Sequence, residues 1–363
     1  MKGCTTKQLS PVSKLPAELL VEIFLDVVSP SEQESSSPPT LYAPHTPSYL
    51  SCASPFSLSH VCSTWRAISL SLSSLWTSLQ VIYPNDPKIL SLLSLWVQRS
   101  RSHKLSLSLH QLHGYRRAPE DESRNFELEF EATRQVWQLF LTLSDRWLHI
   151  DVNVCMSFRS LLDNVNGTFL QQGWSASLPL EAIKVGFGPC ESGLYGKGGE
   201  AGTLLKNHPI LSDESTFFLH LLRSSPHLRT VEWDNRYVPI PLDLVAKWPT
   251  SLTDITFYRS QDVISILSGL STCKSLQSLT IYEQTVFSPH LVHHANHYFN
   301  LTPMNASRKL SPLDFPCLET IRLGSFPHPE LLFDHLVVPS LHSLIVLRGY
   351  NGRAPCRRSD CTC

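Results

Sequence analysis

The sequence predicts a mixed α+β or α/β protein, in which a small N-terminal three-helix unit precedes an irregular series of strand–helix pairs. Two patterns predict this fold. Apolar residues recur with the period of an α-helix on both sides of a polar stretch near the N-terminus. Further along the chain, a short strand-like motif returns at intervals near 24 residues, and segments with a helical pattern lie between its copies.

The first helical pattern follows Lys14. Pro16 suits the first turn of a helix, where its missing N–H group costs nothing. An apolar stripe at helical spacing comes next and comprises Leu19, Leu20, Ile23, Phe24, Val27 and Val28. The Ser29-Pro30 pair should end the helix, because a residue before proline disfavours the helical conformation. We therefore expect one short amphipathic helix here.

A Ser/Pro-rich stretch spans residues 29–55. Eight of its 27 residues are Ser and six are Pro, so it has too little apolar area to offset chain entropy, and we predict a disordered insertion. Beyond the insertion lies a second apolar stripe at helical spacing, which comprises Leu58, Val61, Cys62, Trp65 and Ile68. The short segment 75–79 follows this stripe. These helices are too short to be stable alone, so we expect them to pack together as a three-helix unit.

The second pattern is the motif L-x-x-φ-x-φ, where φ is an apolar residue. Its copies begin at Leu180, Leu228, Leu252, Leu276, Leu318 and Leu341, and weaker copies begin at Trp147 and Leu105. Helical patterns lie between copies at residues 216–223, 262–270 and 330–336. A strand and a helix in each period of this length form the unit of a leucine-rich-repeat solenoid. A compact α/β domain with coincidental spacing is the alternative.

These patterns predict the domain organisation. We expect a flexible N-terminus at 1–12, the helical unit at 13–82 with its insertion at 29–55, the repeat region at 83–347 and an unstructured tail at 348–363.

The two-residue period of a strand divides each repeat motif between two faces. If Leu228, Val231 and Trp233 face the core, the alternate residues face outward. The outward positions that we select as candidate binding residues for a protein target are Glu232, Asp234, Thr256, Tyr258, Thr280, Tyr282 and Arg322. Stacked strands lie about 4.8 Å apart, so Tyr258 and Tyr282 should be neighbours on one concave surface. An ordinary solvated sheet face is the alternative.

The N-terminal unit resembles an F-box. The likeness is carried by L-P-A-E-L-L-V-E-I-F at residues 15–24, by L-S-H-V-C-S-T-W-R-A-I-S at residues 58–69, and by Leu75-Trp76. These motifs are similar to those of the F-box proteins that are abundant in mushroom-forming fungi, in which a leucine-rich region follows. The 27-residue insertion departs from the short connection of an ordinary F-box.

The resemblance implies that this chain is a substrate-recognition subunit. F-box helices dock onto the Skp-type adaptor of a cullin–RING (SCF-type) ubiquitin ligase, and the repeats behind them hold a protein substrate. Carried over by position, the adaptor-binding residues are Leu15, Pro16, Leu19, Leu20, Ile23, Val61 and Trp65. For Leu20, Ile23 and Trp65, a place in the intramolecular core is the alternative. A leucine-rich-repeat interaction scaffold that recruits no ligase is the alternative function.

Composition and charge argue against several other classes of protein. Lys and Arg number 30 against 31 Asp and Glu, which leaves a net charge of −1, so the basic excess expected of nucleic-acid or anionic-membrane binding is missing. The N-terminus has no apolar signal region, and no stretch approaches the roughly 18 apolar residues that a spanning helix needs. We therefore expect a soluble protein of the cytoplasm, the nucleus or both.

Motifs for catalysis or cofactor binding fail on inspection. In the glycine-rich run 186–202, a phosphate-binding loop would need Gly at position 191 and Ser or Thr at 198, where Glu191 and Gly198 stand. Two groups could in principle hold a metal, namely the histidines at 290, 293, 294 and 297 and the cysteines at 356, 361 and 363. The cysteines lack the spacing of a zinc knuckle, and the histidines lack a neighbouring Asp or Glu. We predict no metal, no cofactor and no enzymatic activity.

Overall fold

The computed structural model of the chain describes residues 15–28, 55–82, 84, 89–111, 122–155, 177–188, 221–234, 248–258, 263–282, 312–324 and 333–347. Several predictions from sequence lie outside these residues. They concern residues 1–12, residues 29–54 of the insertion, residues 189–202 of the glycine-rich run, the histidines at 290–297 and the tail 348–363. The chain divides into two units, of which the first extends to Leu148 and the second begins at His149.

The first unit opens with three short α-helices. Helix α1 spans Ala17–Val28, α2 spans Pro55–Ser59 and α3 spans Ser63–Ser71. The second apolar stripe therefore runs over two helices and the turn between them. Cys62 ends that turn, and its Sγ accepts a hydrogen bond from the Trp65 backbone N–H at 3.5 Å, which caps α3.

The segment 75–79, expected to complete the three-helix unit, is not α-helical. It forms a 3₁₀ helix at Ser73–Trp76 and then strand β1 at Ser78–Ile82. The remaining elements of the first unit are α4 (Ile89–Arg99), β2 (Leu105–Gln111), α5 (Glu122–Leu141) and a 3₁₀ turn at Ser144–Arg146. Strand β2 runs parallel to β1, with Ser106 opposite Ser78, so β1, α4 and β2 form one βαβ unit.

Trp76 and Trp147 make the same kind of hydrogen bond. The indole N–H of Trp76 donates to the carbonyl oxygen of Ser69 at 2.8 Å, and that of Trp147 donates to Phe140 at 3.0 Å. Each acceptor lies seven residues earlier, in the helix that precedes the tryptophan. Both rings are fully buried, and each ends an L-S-x-x-W run. The bond satisfies the polar atom of a buried ring.

The second unit is built on a parallel sheet. Its strands lie in the order β3-β4-β5-β6-β7-β9-β11. Their bounds are β3 Trp147–Cys155, β4 Ala182–Gly188, β5 Thr230–Asp234, β6 Asp254–Tyr258, β7 Ser278–Tyr282, β9 Thr320–Gly324 and β11 Ser343–Leu347. Two short strands, β8 (Leu313–Asp314) and β10 (Leu336–Val337), pair separately. Helix α6 spans Val263–Leu270, as the helical pattern predicted. A helix was also predicted at residues 330–336, but Leu336, the last of them, lies in strand β10.

The register of this sheet follows the repeat spacing. Thr230 is opposite Asp254, which is opposite Ser278, which is opposite Thr320. One face forms the core, and its residues are at most 2% exposed; they are Val231, Trp233, Ile255, Phe257, Leu279, Ile281, Ile321 and Leu323. A mixed α/β fold with N-terminal helices and a large parallel sheet is thereby confirmed. No helix within the described ranges is both long and apolar enough to cross a bilayer.

Candidate functional site

A row of exposed apolar side chains follows one side of α1. Leu15, Leu19, Ile23 and Val27 are 37%, 51%, 43% and 46% exposed. Leu19, Ile23 and Val27 are four residues apart on α1, so the helix places them in one line along its surface, and Leu15 lies just before the first turn. We call these four residues the apolar strip. Large apolar side chains aligned on a surface mark a place where another molecule binds.

An adjoining side of α1 holds the helix in the first unit. Leu20 and Phe24 are 2% and 0% exposed. The Phe24 ring meets Trp65 edge-on, with ring centroids 4.7 Å apart. This contact presents the apolar strip to solvent, because the buried side of the helix is already occupied.

The predicted adaptor-binding residues therefore fall into two groups. Those exposed are Leu15, Pro16, Leu19, Ile23 and Val61. Val61, in the turn between α2 and α3, is 60% exposed. Trp65 is half-buried against Phe24, and Leu20 lies in the core. These two residues therefore pack beneath the exposed ones.

An acidic row borders the apolar strip. Glu18, Glu22 and Asp26 are exposed and are also four residues apart, so they lie in a second line beside the strip. Neither this row nor the exposure of Val27 was predicted from the sequence. The four-residue spacing of the three carboxylates was the available signal.

The aromatic core of the first unit extends beyond the α1–α3 segment. The Trp76 ring lies 5.0 Å from Phe56 and 5.2 Å from Trp96, and both contacts are edge-on. The Arg99 guanidinium sits over the same indole, 5.1 Å from its centroid. Trp96 and Arg99 belong to α4, so α4 completes the core on which the first three helices rest.

The second candidate surface is the side of the sheet opposite its core, which we call the outward face. Here Tyr258 stacks on Tyr282 with ring centroids 5.1 Å apart and planes inclined by 16°, which confirms that the tyrosines are neighbours. Gly324 follows in the same row, opposite Tyr282. The Tyr282 ring occupies the space where a Cβ atom of residue 324 would stand.

The other candidate residues on the outward face differ in how exposed their side chains are and in whether another side chain already binds them. Glu232 binds Lys184 of the adjacent strand at 2.8 Å, and Thr256 is half-buried. Thr280 and Tyr258 are only 4% and 7% exposed, so they present little surface. Arg322 is exposed. Asp234 lies in β5, but its side chain is outside the part of the chain that the structure describes.

Comparison with known protein families identifies the helical region. Residues 12–81 match the F-box-like family, and this match contains the apolar strip, Val61 and β1 through Val81. The chain thus carries an F-box-like domain, a class of domain that typically binds Skp-type adaptors and that indicates a role in SCF-type ubiquitin ligases. A search of curated proteins found no match.

Proposed function

We propose that this chain is the substrate-recognition subunit of an SCF-type ubiquitin ligase. The apolar strip and Val61 dock a Skp-type adaptor, and through it a cullin, while the outward face of the second unit binds a protein target. One observation carries the proposal: inside the F-box-like match, three apolar side chains that are 43% to 51% exposed form a line on α1, and Leu15, 37% exposed, lies just before that helix.

The energetics of the apolar strip favour a protein partner. Covering apolar surface contributes about 25 cal/mol per Å², and the row on α1 presents that surface without rearrangement of the buried Leu20 and Phe24. The acidic row of Glu18, Glu22 and Asp26 lies along its border. Complementary charge at a rim fixes orientation and speeds association, so the adaptor groove should carry basic side chains there.

We infer that the second unit is an irregular leucine-rich-repeat solenoid that presents its outward face to the target. The 24-residue spacing of Leu228, Leu252 and Leu276 supports this inference, as does the pairing of equivalent residues across β5, β6 and β7. In repeat proteins of this kind, each unit contacts its neighbours and the strands form an extended binding surface.

We also propose that the chain supplies no catalytic group. Its contribution to ubiquitin transfer is proximity, because holding a target beside the ligase raises the local concentration of its lysines. The second candidate function is a leucine-rich-repeat scaffold that recruits no ligase. The repeat pattern supports both functions equally, and adaptor binding distinguishes them.

The test is binding of a purified Skp-type adaptor to the full chain, measured by calorimetry. The variant Leu19→Ala/Ile23→Ala should bind the adaptor about tenfold more weakly or worse, because central apolar contacts dominate interface energies. Leu128→Ala is the matched control, since Leu128 is 51% exposed on α5, as Leu19 is on α1. If the folded wild-type chain binds no adaptor, the ligase function is wrong and the scaffold function stands.

A further inference from the structure

A patch of mixed character lies on the outward face near the last strand of the sheet. Arg322 of β9 is opposite Thr280 on one side and Ile345 on the other. Ile345 and Leu347 are 37% and 48% exposed. Together with Tyr282, which is opposite Gly324 one pleat further along, they surround the arginine. We call Arg322, Tyr282, Ile345 and Leu347 the Arg322 patch.

The charge on Arg322 is available to a ligand. Lys184, a cation of the same face, is bound to Glu232 at 2.8 Å, and Lys274 of this unit reaches Asp314. The Arg322 side chain is exposed and makes no hydrogen bond or ion pair with any residue of the described ranges. A guanidinium presents five N–H donors in a fixed fork, and that fork fits a carboxylate through two parallel hydrogen bonds.

The aromatic part of the patch is held in place. Tyr282 stacks flat on Tyr258, with centroids 5.1 Å apart, and its ring fills the space above Gly324. A side chain that is already ordered loses little rotamer freedom when a ligand covers it. Tyr and Arg are also enriched among the residues that dominate binding energies.

We propose that the Arg322 patch binds an extended segment of a protein target in which an Asp or Glu side chain lies next to a large apolar one. The carboxylate pairs with Arg322, and the apolar side chain covers Ile345 and Leu347. A single guanidinium balances one carboxylate, whereas a phosphoryl group carries a charge of about −1.5 to −2 and would leave part of it unpaired. This inference rests on the proposed function, because it names the class of target.

The experiment uses the full chain and an array of random 12-residue peptides. Peptides that bind are resynthesised with each Asp or Glu replaced by Gln, and in a parallel set by phosphoserine. We expect the Gln versions to bind about tenfold more weakly, as the loss of a charged bidentate pair implies. Arg322→Gln should remove this preference for the carboxylate. Arg229→Gln is the matched control, an exposed arginine of the same unit outside the patch.

Four results would overturn the inference. The first is equal binding of the acidic and Gln peptides, and the second is binding of the phosphoserine peptide alone. The third is a preference for acidic peptides in Arg322→Gln that equals the wild-type preference. The fourth is a wild-type dimer, detected by sedimentation, that Ile345→Asp dissociates. The last would show that a second copy of the chain covers the patch. Adaptor binding is measured separately on the same samples, so failure of the proposed function is distinguished from failure of this inference.

Discussion

Trp76 and Trp96 meet edge-on with ring centroids 5.2 Å apart, and this contact joins the F-box-like match to the helix that follows it. Trp76 lies within residues 12–81, and Trp96 lies in α4 beyond them. The matched region therefore shares its buried core with α4, which lies outside it. Its largest buried ring depends on a side chain that the family match does not include.

Truncation of Trp96 should destabilise the first unit. Trp96 is 5% exposed, and Trp→Ala changes in a core cost about 3–5 kcal/mol. Trp96→Ala should lower the free energy of unfolding by that amount and weaken adaptor binding, as measured by urea titration and calorimetry. Leu92→Ala is the control, because Leu92 is 44% exposed on the same helix. Equal stability of the two variants would contradict the role assigned to Trp96.

The acidic row on α1 should make adaptor binding depend on salt. Replacing Glu18, Glu22 and Asp26 by Gln, Gln and Asn removes three charges that border the apolar strip. We expect weaker adaptor binding at low ionic strength and a smaller difference at 1 M salt, where the screening length is about 3 Å. Association rates measured at both salt concentrations check this. An unchanged association rate at low salt would mean that the row does not face the adaptor.

A methyl group at residue 324 should displace the Tyr282 ring. Gly324→Ala places a Cβ atom where that ring now lies, and overpacking of this kind costs about 1–3 kcal/mol. In a double-mutant cycle with Tyr282→Ala, the cost of Gly324→Ala should disappear, because the colliding ring is gone. Urea unfolding of the four proteins measures both effects. A cost that persists in the double variant would place its cause in the backbone instead.

Two leucines in related register positions should differ in their contribution to stability. Leu279 and Leu344 are each opposite Ile321, on β7 and β11, but Leu279 is fully buried and Leu344 is 49% exposed. Leu279→Ala should lower the free energy of unfolding by about 2–5 kcal/mol, and Leu344→Ala by less than about 1 kcal/mol. If the two variants lose similar free energies of unfolding, the side of β11 that carries Leu344 is covered in solution.

The described cysteines should differ in reactivity. Burial raises the pKa of the Cys273 thiol to about 11, whereas Cys62 and Cys317 are exposed. Because the thiolate is the reactive form, iodoacetamide at pH 8 should label Cys62 and Cys317 and spare Cys273. Peptide mass spectrometry reads each site, and labelling in 8 M urea is the control in which Cys273 should react. Labelling of Cys273 in the native chain would mean that this region opens readily.

The features that a short-range sequence pattern encodes could be predicted. The 24-residue spacing of Leu228, Leu252 and Leu276 predicted strands that pair in register, and the helical stripe at 19–28 predicted α1. The strand spacing also predicted that Tyr258 lies beside Tyr282, but not that Tyr258 is buried. That burial depends on what surrounds the sheet, and a two-residue period holds no information about it.

The longer-range features were missed for a similar reason. Helix α4 has its own apolar spacing, yet nothing local indicates that Trp96 packs against Trp76 twenty residues earlier. Leu20 and Leu19 are neighbours in one stripe, but only packing against the other helices decides that the former is buried and the latter exposed. The apolar stripe of α1 is wider than the side of the helix that the core buries. Its width predicts that some apolar residues are exposed, but not which ones.

The hydrogen bonds of Trp76 and Trp147 have a consequence for comparing distant relatives. In both cases an L-S-x-x-W run joins the end of a helix to the start of a strand, and the indole binds a carbonyl seven residues back. The eight residues from the acceptor to the tryptophan contain both partners of this bond, and a backbone acceptor is available whatever its side chain, so the pattern can persist after the leucines of a repeat have diverged. It therefore offers an anchor for aligning chains whose repeats no longer resemble one another.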